Sequence, residues 1–138
     1  VIHEIFAVDN TRGFTTMMSE DTAMSNPPLV DSGIENLSIL PSGPLPDVPA
    51  DMLSNRRLEE VIGVLKARAN YILFDSPPVL AATDATLLGS RVDGVLLVVR
   101  AGHTRREHAS RARQTLERVN INLLGAVLTH AFRETSNY

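Results

Sequence analysis

Asp75 and Ser76, at the end of the apolar run in YILFDSPPVL (71–80), are the side chains best placed for chemistry. A carboxylate at the carboxyl end of a buried strand can hold Mg²⁺ directly or through water. Magnesium takes hard oxygen ligands and keeps several waters, so one carboxylate beside phosphates is enough to anchor it. Ser76 adds a hydroxyl, and Pro77 and Pro78 stiffen the exit of the chain. The same pattern also serves as a plain cap after a strand. A second group is RAGHTRRE (100–107), where Arg100, Arg105, Arg106 and the free N–H groups of a helix starting at Thr104 attract a phosphate or an acidic partner. Taken alone, Arg105 and Arg106 read as a solvated helix face. Thr129 and His130 close a third apolar run.

These residues need a scaffold. NYILFD (70–75), DGVLLVVRA (93–101) and NLLGAVLTH (122–130) read as buried strands with apolar residues on both faces. The spacing predicts a helix over about 52–68, capped by Asp51, with Met52, Leu53, Leu58, Val61, Ile62 and Leu65 on one side. TDATLLGS (83–90) reads as a short helix with Thr83 or Asp84 at its start. TRREHASRARQTLERV (104–119) reads as a longer one, capped by Thr104 with Glu107 three residues on. NLSILPSG (36–43) is a short strand ending at a turn, GPLPDVPA (43–50) a Pro-rich connection, and Phe14 to Met18 a helical turn. Continuous apolar strands separated by amphipathic helices make an α/β fold, a parallel sheet covered by helices on both faces. Ligands bind such sheets at the carboxyl ends of the strands, where Asp75, Arg100 and Thr129 fall.

Several classes drop out. The 138 residues suit one domain, and 43% hydrophobic content suffices for a core. A net charge of -3 gives no reason to expect nucleic acid. With no cysteine there are no disulfides, thiolate metal sites or cysteine nucleophile, which fits a cytoplasmic protein. No apolar run approaches the ~20 residues of a membrane helix. His103 and His108 are five apart, which misses the four-residue spacing of a helical metal pair. Ser76 lacks the G-x-S-x-G elbow of a hydrolase. G-x-x-x-x-G-K-[ST] occurs nowhere, and the single lysine, Lys66, falls in mid-helix.

Together the motifs resemble the kinase domain of the bacterial protein-tyrosine kinases (BY-kinases) of capsule and exopolysaccharide biosynthesis, relatives of the MinD and ParA ATPases. VIHEIFAVDNTRGFTTMM is similar to the family's His, Phe and Asn-x-x-Gly stretch. LSILPSGPLPDVPADMLSNRRLEEVI resembles its strand, Pro-rich loop and helix. YILFDSPPVLAATDATLLGSRVDGVLLVVRAGHT is the most specific likeness, and LLGAVLTH resembles the last strand.

The resemblance implies a P-loop NTPase-like fold, ATP and Mg²⁺ as cofactors, and tyrosine autophosphorylation. It makes Asp75 the Walker B aspartate, catalytic and Mg²⁺-organising, with Ser76 beside it. Arg100 and Thr104 lie in the loop near the nucleotide, and Thr129 replaces the asparagine of V-L-N at the adenine. Asp84, in the matching T-D-A stretch, caps its helix or serves the site. Tyr71 is expected to be buried, which leaves Tyr138 as the phosphorylation site. The partners implied are other copies of the protein and a membrane-bound polysaccharide co-polymerase or activator, at the inner face of the cell membrane. The P-loop and a second aspartate motif of the family have no counterpart here. Residues 1–138 are therefore expected to be the carboxyl part of one domain, incomplete on its N-terminal side and inactive alone. A non-catalytic module with the same fold and a MinD/ParA-like ATPase are the competing readings. A P-loop upstream would decide the first, and the 41–49 loop with D-S-P-P favours the kinases over the second.

Overall fold

The structure is a computed structural model describing residues 2–44 and 56–131. It divides into two compact units, Val1–Leu73 and Phe74–Tyr138.

The first unit holds helices α1 (Ile2–Ile5), α2 (Phe14–Ser19) and α3 (Asp21–Ser25), strands β1 (Val30–Asp31) and β2 (Ser38–Ile39), and helix α4 (Arg56–Lys66). Leu58, Val61, Ile62 and Leu65 recur at helical spacing on α4 and are all buried, as the periodicity predicts. Met17, Ala23 and Ile39 are buried in the same unit. The expected cap Asp51, with Met52 and Leu53, lies outside the described residues. β1 and β2 pair antiparallel, Val30 opposite Ile39 and Asp31 opposite Ser38. Their connection turns through Gly33 at φ 74°, where the Asp31 carboxylate accepts the Gly33 N–H at 2.9 Å.

Arg57 ties this unit together. Its guanidinium donates to the Met17 carbonyl at 2.9 Å, the Glu20 carbonyl at 2.8 Å and the Asp21 carboxylate at 2.7 Å. The carbonyls at the end of α2 have no partner within the helix, and a cation is favoured at that pole. The side chain is only 17% exposed. Arg57→Ala is expected to lower stability by about 2 kcal/mol, read as a shift of the urea midpoint, and Arg57→Lys to recover little of it because an ammonium cannot span the three acceptors.

The second unit holds α5 (Asp84–Gly89), β3 (Val95–Arg100), α6 (Arg106–Arg118) and β4 (Leu123–Thr129). β3 and β4 are parallel and paired from Val95 opposite Leu123 to Arg100 opposite Thr129, with an irregularity after Val95. A parallel pair requires a crossover, and α6 supplies it. Its Ala112 and Leu116 are buried, and α6 packs on β4. Gly89 lets α5 approach Ile121, whose Cδ1 would lie 3.0 Å from an added Cβ. Leu116→Ala removes a fully buried side chain from this small core and is expected to cost about 3 kcal/mol, measured by chemical unfolding.

Three expectations need correction. NYILFD forms no strand: residues 71–78 have neither helix nor ladder, because no described strand pairs with them. Tyr71, expected to be buried, is 90% exposed, as is Leu73. β4, expected to be buried, has no buried residue, with Leu124, Val127 and Leu128 exposed, and β3 is not buried on both faces either. Exposure alternates along it, with Leu96 and Val98 outward, because its sheet has two strands and the described helix packed on it lies against β4. Among the described residues, no helix is long and apolar enough to cross a membrane.

Candidate functional site

The residues Asp75, Ser76, Arg100, Thr104 and Thr129 all belong to the second unit. Three of them are brought together at the carboxyl edge of the parallel pair. Arg100 and Thr129 are register partners at the last rung. The chain then turns: the Ala101 N–H donates to the Thr129 carbonyl at 2.9 Å, and the Thr104 N–H to the Arg100 carbonyl at 2.9 Å. Gly102, at φ 69°, occupies the left-handed region this turn requires.

Thr104 differs from its expected role. The residue preceding α6 is Arg105, and no side chain caps the helix. The Thr104 hydroxyl instead accepts the Arg100 N–H at 3.1 Å, which leaves its own hydrogen for an outside acceptor. The Arg100 guanidinium is exposed and makes no hydrogen bond or ion pair with a described residue. At the start of α6 the Arg106 and Glu107 N–H groups lack partners within the helix, whereas those of His108 and Ala109 donate to the Arg105 carbonyl. A hydroxyl, a guanidinium and a helix start at one strand edge make an anion-receptive corner. Thr129 is half-buried and turned partly inward, its hydroxyl donating to the Val99 carbonyl at 3.4 Å.

Asp75 and Ser76 are exposed, on the segment after Phe74. The Ser76 hydroxyl donates to the Pro77 carbonyl at 3.3 Å. Asp75 makes no hydrogen bond or ion pair with a described residue, and none joins it to Arg100, Thr104 or Thr129. A free carboxylate fits a cation that takes one or two carboxylates and completes its shell with water and phosphate oxygens. No group of three or more metal-ligating side chains occurs among the described residues, so the chain holds no all-protein cage there. Beyond Pro78 the chain folds back, Ala81 and Ala82 donating to the Pro78 carbonyl at 2.8 and 3.3 Å, and enters α5 through Thr83. Asp84 lies in the first turn of α5, where a carboxylate is favoured by the helix dipole. Tyr138 lies outside the described residues.

A second constellation, in the first unit, was not singled out from the sequence. Asn10 reaches across 33 residues to Gly43, accepting its N–H at 2.8 Å and donating to its carbonyl at 3.2 Å. The Phe14 and Thr15 N–H groups donate to the carbonyls of Pro41 and Ser42 at 2.8 and 2.9 Å. The Asn-x-x-Gly and Pro-Ser-Gly loops are therefore stitched edge to edge, and their separate glycine and asparagine signals were the only trace in the sequence. Beside them the Thr11 hydroxyl and N–H both donate to the Asp9 carboxylate and hold it below the usual carboxylate range.

Comparison with known proteins places this geometry. No family model matches the chain. It is 35% identical over 127 residues to the tyrosine-protein kinase YwqD of Bacillus subtilis, covering 92% of this chain and 53% of that protein. Among solved structures, the kinase domain of the Escherichia coli tyrosine kinase ETK superposes with a TM-score of 0.86 at 25% identity, covering all of this chain and 54% of the other. The VpsO kinase domain gives 0.87 at 26% identity, covering 96% and 65%. The chain thus spans about half the length of the curated relatives it matches. The likeness extends from the Asn10 loop to the β4 edge, and the chain belongs to the bacterial tyrosine-protein kinase (BY-kinase) family of capsule and exopolysaccharide biosynthesis.

Proposed function

We propose that residues 1–138 are the carboxyl part of a single kinase domain in an ATP- and Mg²⁺-dependent tyrosine autokinase that regulates capsule or exopolysaccharide assembly and export. The observation that carries the reading is the anion-receptive corner at the β3–β4 edge, made by Arg100, Thr104 and the start of α6. Asp75 is the metal-organising carboxylate, with Ser76 beside it. Bound magnesium supplies charge neutralisation to the phosphates. Arg100 and the Thr104 hydroxyl hold phosphate oxygens and fix their direction. Thr129 sets the sheet edge at the adenine, and its inward bond to Val99 leaves it less to offer a base than a free amide has. Phosphoryl transfer needs little covalent chemistry from the protein, so positioning and electrostatics at this corner are the contribution expected of these residues.

Tyr138 is the proposed acceptor, on a neighbouring copy. Tyr71 is exposed, so burial does not exclude it as an acceptor, and phosphopeptide mapping of Tyr138→Phe against Tyr71→Phe separates the two candidates. Loss of the label with Tyr138→Phe alone is the expected result. Partners in the whole protein are further copies of itself and a membrane-bound co-polymerase or activator, which place it at the inner face of the cell membrane.

The sequence holds no G-x-x-x-x-G-K-[ST], whose N–H cradle and lysine grip the β and γ phosphates. The 138-residue chain alone is therefore expected to release no ADP from ATP in a coupled assay. Turnover that disappears in Asp75→Asn would overturn that expectation. Transfer of ³²P from ATP to tyrosine by the natural protein containing this chain tests the kinase reading itself. A natural product with no P-loop and no transfer would make it a non-catalytic module.

A further inference from the structure

The positive charge of this chain is concentrated in one place. Residues 100–118 hold six arginines and two glutamates, a local charge of about +4, whereas the rest of the chain carries seven basic and fourteen acidic side chains. The described cations elsewhere have partners. Arg12, Arg56 and Arg57 are in ion pairs, Arg68 donates to the Ser25 carbonyl, and Lys66 and Arg91 are also engaged. Within 100–118 only Arg113 is paired, with Glu117 at 3.4 Å. Every described cation whose side chain has no hydrogen-bond or ion-pair partner lies in this stretch: Arg100, Arg105, Arg106, Arg111 and Arg118. Arg100 and Arg105 border the anion-receptive corner. Arg106, Arg111 and Arg118 are exposed on α6, away from the buried Ala112 and Leu116, and are spread over about 18 Å of helix.

We propose that this exposed face of α6 docks on an anionic lipid surface, with Arg106, Arg111 and Arg118 as its contacts. The neighbouring positions decide between kinds of partner. A protein interface is built around an apolar core, and the exposed neighbours here, Glu107, Ser110 and Gln114, are polar or charged. Single-stranded nucleic acid is held by stacking on aromatic rings, and no aromatic residue lies between Phe74 and Phe132. A lipid headgroup plane needs neither. It rewards exposed cations without a fixed register, at a strength that grows with each arginine and falls with salt. Pairing with Arg113 partly neutralises Glu117, one of the two carboxylates on the helix.

The test is co-sedimentation of the full chain with vesicles of phosphatidylcholine alone or with 30% phosphatidylglycerol. Binding to the anionic vesicles only, lost in 0.5 M NaCl, is expected. Each of Arg106→Gln, Arg111→Gln and Arg118→Gln should lower partitioning about fivefold, and the triple variant should abolish it. Arg56→Gln, at a paired cation on α4, should change nothing. Thermal melts of the variants should superimpose, since all three side chains are exposed. Equal partitioning to both vesicles overturns the proposal, as does a triple variant that still binds. A chain that ignores vesicles but takes up poly(U) or polyglutamate through these arginines overturns it too, by assigning the face to another partner.

Discussion

One methyl group at residue 13 is expected to undo most of the first unit. A Cβ built on Gly13 falls 2.2 Å from the Pro41 carbonyl oxygen, 2.4 Å from the Gly43 nitrogen and 2.7 Å from the Pro41 carbonyl carbon. These are backbone atoms, so no rotamer change relieves the overlap. The Pro41–Gly43 segment has to move away. Moving it breaks the bonds from Phe14 and Thr15 and strips Asn10 of both partners at Gly43. Gly13 also opens α2: its carbonyl accepts the Met17 N–H at 3.1 Å and its N–H donates to the Thr16 hydroxyl at 3.0 Å. With net hydrogen-bond contributions of about 1 kcal/mol each, Gly13→Ala is expected to cost more than about 3 kcal/mol. That is a large share of a small domain's 5–15 kcal/mol. The control is the same substitution at Gly63, which sits exposed in α4 with nothing within 4 Å of an added Cβ. There alanine removes backbone freedom from the unfolded chain and should stabilise by about 0.5–1 kcal/mol. Urea midpoints moving in opposite directions would confirm the steric origin of the Gly13 effect. A neutral Gly13→Ala would show that the two loops are not locked edge to edge.

The contrast between these two glycines shows what the sequence reveals and what it hides. α4, α6, β3 and β4 were legible because each carries its own period: Leu58, Val61, Ile62 and Leu65 on one helix, continuous apolar runs on the strands. Turn residues at Pro41 and Gly43 marked loop positions equally well. The Asn10–Gly43 lock was not legible, since nothing local says which of two distant loops a glycine must touch. Tyr71–Asp75 failed for a related reason. Its residues are good strand formers, but a strand exists only when a neighbour supplies its ladder, and no described strand does. Thr104 was read as a helix cap because Thr-x-x-Glu is a capping signal. The tight turn after β3 competes for the same hydroxyl, and the Arg100 N–H takes it. Along 100–129, then, Arg100 and Thr129 were legible as strand-end residues, while what Thr104 bonds to was not.

The second large effect is expected at Asp75. In the natural protein containing this chain, Asp75→Asn is expected to lower kcat for tyrosine phosphorylation by about 10²–10³-fold, the scale of losing several kcal/mol of metal-centred charge stabilisation. The carboxylate is exposed and makes no hydrogen bond or ion pair with a described residue, so its amide should fold as well as the parent. Catalysis and stability should therefore separate: unchanged unfolding midpoint, collapsed turnover. Asparagine keeps one oxygen ligand and loses the charge, so a raised Mg²⁺ requirement should accompany the lost rate. Arg100→Gln is expected to act differently. It removes the cation proposed to face phosphate at the β3–β4 corner while leaving the proposed metal ligand in place, so KM for ATP should rise with little change in Mg²⁺ dependence. A kinase that tolerates Asp75→Asn would sever the metal from this carboxylate. The corner formed by Arg100, Thr104 and α6 would then stand as an anion site without a catalytic metal beside it.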